Sequence, residues 1–182
     1  MSEPLSNDWA PLTVPPLTVM PGIVAVAEIF GHTADAVVGL SEIHAFAEGC
    51  LLHLVAAARR PSPATTPWGD PDQGINIFAR RGGRASVQLL SCAVAFPDGT
   101  VVNADDPPGP VVLTRHEGRG SAPAESSQLV YRQPLWLSPL PTGAGVRLVL
   151  DWSAYGIHHA VHELDTDRIT RAAAGARALW QR

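Results

Sequence analysis

Apolar, β-rich runs divided by turn residues recur along most of this chain. The clearest run is Val146 to Trp152. There Val146, Leu148 and Leu150 fall on one side and Arg147, Val149 and Asp151 on the other, which is the period of a half-buried strand. Ile23 to Thr33, Asp35 to Ala47, Cys50 to Arg59, Val87 to Phe96, Val111 to Arg115 and Gln128 to Leu137 are further β-rich or apolar runs that read as strand candidates, with Thr100 to Asn103 as a short return strand. Turn residues separate them: Glu48-Gly49, Pro97-Asp98-Gly99-Thr100, and the prolines of 105–110 and 138–145. Counting gives about eight strands between residues 23 and 162, and no alternation of strand and helix. The pattern predicts an antiparallel β-sandwich, immunoglobulin-like in outline, and excludes Rossmann and TIM-barrel folds.

The two ends differ from this body. From Asp165 onward Ile169, Ala172, Ala173, Ala176, Leu179 and Trp180 recur at helical spacing. Asp165 or Thr166 caps the start, and Arg177 and Arg182 lie where the helix dipole favours cations. The spacing predicts one C-terminal helix over 166–181, docked on the sandwich by a shallow alanine face. Trp9 to Ala27 carries no charge but holds Pro11, Pro15, Pro16 and Pro21. Each interior proline costs a helix about 3 kcal/mol, so this stretch is no membrane span. Residues 1–21 are expected to form an extended arm, and 22–182 a single domain. The arm lies either on its own domain or on a partner, with Trp9, Leu12, Val14 and Leu17 as its apolar contacts.

Composition narrows the chemistry. All 13 basic residues among the 182 are arginine. Schiff-base, P-loop and kinase-lysine mechanisms are therefore closed to this chain. The net charge of −4 speaks against nucleic acid as a partner. The one basic cluster, Arg80, Arg81 and Arg84 around Gly82-Gly83, reads as an arginine-lined anion site or as a plain solvated loop. Residues 61–74, with four prolines and Trp68, and 116–127 read as long loops. Cys50 and Cys92 have neither CxxC nor metal-ligand spacing and are expected to be buried thiols. Met1 to Asp8 has no basic residue, so no signal-peptide start is expected and the expected location is cytoplasmic.

The histidines are the remaining candidates. On a strand, His158 and His162 share a face but sit about 13 Å apart, too far for one ion without an outside ligand. A two-residue turn at Glu48-Gly49 would pair Ala47 with Cys50 and His44 with His53, bringing Glu42 close. Such a pair could hold a metal or serve as a pH-sensitive contact; a partly exposed histidine pair is the plainer reading. No nucleophile elbow, HExxH or EF-hand motif occurs. The carboxylate pairs Asp70/Asp72, Asp105/Asp106 and Asp165/Asp167 sit in turns or at a helix start, where turn and cap duty explains them.

The stretches Phe96-Pro-Asp-Gly-Thr100, Trp136-Leu-Ser-Pro-Leu-Pro141, Leu150-Asp-Trp-Ser-Ala-Tyr-Gly-Ile157, Glu163-Leu-Asp165 and the alanine-rich tail ending Leu179-Trp180 resemble, in that order, a family of hypothetical proteins common in high-GC bacteria. The resemblance implies a β-sandwich with a C-terminal helix and brings no catalytic residue. At His158 and His159 this chain departs from the family pattern, which has proline and a polar residue there.

The expectation is thus a cytoplasmic, non-catalytic β-sandwich without a cofactor, which binds a protein partner or a second copy of itself. The alternatives are a metal-dependent or histidine-using hydrolase and a small-ligand or carbohydrate-binding sandwich built on Trp68 and the two loops.

Overall fold

A computed structural model describes residues 13–59, 90–104, 106–121 and 128–180. The chain is mainly β. A short strand β1 (Val19–Met20) precedes three long ones, β2 (Gly22–His32), β3 (Ala36–Phe46) and β4 (Gly49–Arg59). Then come β5 (Ser91–Ala95), β6 (Val101–Asn103), β7 (Val112–Arg115), β8 (Arg119–Ser121), β9 (Gln128–Ser138), β10 (Arg147–Trp152) and β11 (Ile157–Glu163). Helix α1 (Thr166–Ala174) and β12 (Arg177–Ala178) finish the chain.

The strands form one sheet in the order β2-β3-β4-β9-β7, with β8 also on β9, and a second in the order β11-β10-β5-β6. All pairings are antiparallel. The alternating residues of both sheets meet in one core, as Leu52, Leu54 and Leu135 from the first sheet and Val94, Leu148 and Trp152 from the second illustrate. This is the sandwich that the alternation predicts. Segment 157–163, read as extended from its sequence, is a full strand.

One side of the sandwich is closed by tight backbone approach. A Cβ on Gly31 would lie 2.7 Å from the Cβ of Ala160 in β11, and one on Gly22 would lie 1.9 Å from the carbonyl oxygen of Ala172 in α1. Glycine is required at both places because another chain segment occupies the side-chain volume. Helix α1 starts where the side chain of Asp165 accepts the N–H of Arg168 at 2.9 Å, and it buries Thr166, Ile169 and Ala173.

The helix ends at Ala174, not at residue 181 as its apolar spacing predicts. Gly175 caps it, and the chain turns out to form β12, which pairs with β1. Leu179 and Trp180 fit a helical period, but glycine costs an interior helix position about 1 kcal/mol, and the strand pairing takes the tail instead.

Strand β3 contains the irregularity that matters most for the surface. Leu40 pairs with Leu54 and Glu42 with His53, so Ser41 is an extra residue. Its hydroxyl donates to the carbonyl of His53 at 2.9 Å and holds the bulge. Before the bulge the even positions Val38 and Leu40 are buried; after it the odd positions Ile43 and Ala45 are. The parity switch sends Glu42 and His44 to the outer face of the sheet.

Candidate functional site

Two regions collect side chains that the core does not use. The first is on the outer face of the larger sheet. The β3–β4 turn is Ala47-Glu48, closed by Phe46 opposite Gly49, and not Glu48-Gly49. His44 therefore faces Leu51 and His53 faces Glu42, which corrects the direct His44–His53 pairing. The reason is the role of Gly49: a Cβ there would lie 2.4 Å from the Leu137 carbonyl oxygen and 2.7 Å from the Trp136 ring. The glycine serves close packing of β4 on β9, and the turn is made without it.

The three residues meet nonetheless, because His44 and His53 are diagonal neighbours on one face. Their ring centroids are 4.2 Å apart. His44 Nε2 lies 3.1 Å from Glu42 Oε1. One donor atom from each of Glu42, His44 and His53 fits within 4.8 Å of the others. It is a two-imidazole, one-carboxylate set. Burial, and then the His44 ring beside it, pushes the His53 pKa below its ordinary value, while Glu42 pulls it back up. His53 Nε2 is buried and has no hydrogen-bond partner among the described residues.

The other histidine candidates stay apart. His158 lies 3.5 Å from Asp151 and His162 lies 3.4 Å from Glu28, two separate contacts. The Phe30 ring lies tilted against that of His162, with centroids 5.3 Å apart.

The second region is the ribbon of β1 and β12. Val19 faces Ala178 and Met20 faces Arg177. The N–H of Leu179 extends the pairing by donating to the Thr18 carbonyl at 2.8 Å. Around this ribbon Leu17 is 89% exposed, Trp180 78% and Met20 57%, with Val14 and Leu179 also exposed. Ile23, the next strand's first outward residue, is exposed too. Residues 13–22 and 168–180 hold three charges between them, Arg168, Arg171 and Arg177, and no carboxylate. Arg168 reaches back to the Ala25 carbonyl at 3.2 Å. Arg171 and Arg177 are exposed.

Of the expected contact residues, Leu17 is exposed beside the ribbon and Val14 is exposed in the segment before it. Trp9, Leu12, Trp68, Arg80, Arg81 and Arg84 lie outside the described residues, as does the loop 61–74. Sequence reasoning missed Met20, Leu179 and Trp180. The last two were absorbed into a helical period, and Gly175 was the signal that separates them from it.

Cys50 and Cys92 are buried thiols, one in each sheet. Burial pushes the Cys50 pKa up to about 12. No helix among the described residues is long and apolar enough to cross a membrane. No family model, curated protein or solved structure matches this chain.

Proposed function

We propose that this protein is a protein-binding module that docks through its β1–β12 ribbon. The observation that carries the reading is the exposure of Leu17 and Trp180 on neighbouring strand ends joined by the Thr18–Leu179 hydrogen bond. Scattered exposed apolar residues are ordinary, but an exposed leucine and tryptophan on facing chain ends of one ribbon are typical of contact surfaces. The charge around it defines the partner. With Arg171 and Arg177 exposed and no carboxylate on either segment, the complementary surface is apolar at its centre and rimmed by Asp and Glu. The proposed compartment is the cytoplasm, in keeping with two buried thiols.

The test uses the full chain and the variant Leu17→Asp/Trp180→Asp. A partner retained from the source cells by the wild-type protein is purified, and its affinity for both forms is measured at two salt concentrations. The expected result is about 30-fold or greater weakening in the variant, the scale of a binding hot spot, and weaker wild-type binding at high salt. Equal affinities would overturn the reading. A wild-type dimer that the variant dissolves would replace the foreign partner by a second copy of this chain.

A further inference from the structure

We propose that Glu42, His44 and His53 form a binding site for a divalent transition-metal ion of the zinc type. Three observations carry it. First, one donor atom from each of the three residues lies within 4.8 Å of the other two. Donors around a tetrahedral zinc, with bonds of about 2.0–2.1 Å, sit about 3.3 Å apart. The His44 Nε2 to Glu42 Oε1 separation is already 3.1 Å, and the His53 donor, within 4.8 Å of both, has at most about 1.5 Å to close by side-chain rotation.

Second, the backbone pre-places the donors. The Ser41 bulge turns Glu42 and His44 outward, and the hydroxyl of Ser41 ties that bulge to the carbonyl of His53. Two ligands and the anchor of the third are therefore fixed to one another by the sheet. A site on paired strands costs little ordering when the ion binds.

Third, His53 Nε2 is buried without a hydrogen-bond partner among the described residues. Leaving a buried polar nitrogen unpaired is unfavourable, and imidazole nitrogen is a preferred ligand of zinc, copper and nickel. The side chains of His44 and Glu42 are 24% and 43% exposed, so an ion reaches the site from solvent. Three protein ligands leave a fourth position for water or for a donor atom of a bound molecule.

The alternative is a simple His44–Glu42 ion pair with a second histidine tilted against it. It predicts no zinc affinity. The experiment is calorimetric titration of ZnCl2 into full-length, untagged, EDTA-treated protein, repeated with Co2+ and visible spectroscopy. The expected result is about one zinc per chain, with at least about tenfold weaker binding in His44→Gln and in His53→Gln, and tetrahedral-type Co2+ absorption that both variants lose. His158→Gln binds as the wild type does. If His53→Gln fails to fold, His44→Gln decides alone, since that side chain is part-exposed on the sheet surface. Absence of saturable zinc binding by folded wild-type protein, or binding unchanged in His44→Gln, would overturn the proposal.

Discussion

The side-chain amide of Gln133 donates a hydrogen bond to the backbone carbonyl of His116. This contact replaces one that the backbone cannot make. His116 N–H donates to the Pro134 carbonyl at 3.0 Å. In a complete antiparallel ladder the N–H of residue 134 would return the bond to His116, but proline has no N–H. Gln133 is buried, 2% exposed, and its Nε2 supplies the missing donor while also lying 2.9 Å from the Pro134 carbonyl. A proline is thereby tolerated in a strand paired on both sides.

Gln133→Met should leave the His116 carbonyl without its donor and cost about 1–3 kcal/mol. In a Pro134→Ala background the ladder N–H is restored, and the same change should cost less. Denaturant unfolding of the four proteins gives the coupling energy. A coupling of zero would show that the amide does not substitute for the ladder bond.

Gly22 holds the ribbon to the sandwich. Its missing side chain makes room for the Ala172 carbonyl, and backbone is a neighbour that cannot rotate away. Gly22→Ala should destabilise the protein by about 1–3 kcal/mol through overpacking, with the largest rise in amide exchange in α1 and the β1–β12 ribbon. Wild-type stability in this variant would mean that α1 shifts freely on the sheet.

His116 gives a pH dependence. Burial lowers its pKa from the ordinary value of 6.5, and its Nε2 has no hydrogen-bond partner among the described residues. Below pH 6.5 the unfolded chain takes up the proton before the folded one does. The unfolding free energy should therefore fall as pH drops from 6.5 toward the lower folded pKa, and this contribution should level off beneath it. His116→Leu should flatten that part of the stability profile. An unchanged slope in the variant would assign the dependence to other groups.

The strand framework was legible because alternation is local. In β4 Leu52 and Leu54 point in and Leu51 and His53 point out, and any alternating run shows this. The Ser41 bulge was not legible: one extra residue in β3 inverts parity, and no local feature of Ser41 announces it. Gly49 misled the register for a related reason, since glycine marks turns and close packing alike. The His44–His53 neighbourhood survived because direct and diagonal partners both lie on the same face. The ribbon was hidden because β1 and β12 lie at opposite ends of the chain, and two-residue strands carry no period.

Oxidative footprinting reports directly on whether the ribbon is the docking surface. Met20 and Trp180 are oxidisable and exposed, while Trp152 is fully buried and serves as the internal reference. In the isolated protein Met20 and Trp180 should be modified readily. In the complex with its partner, modification of Trp180 should fall toward the level of Trp152. Unchanged modification of Trp180 on binding would rule out docking through the ribbon and place the contact elsewhere on the molecule.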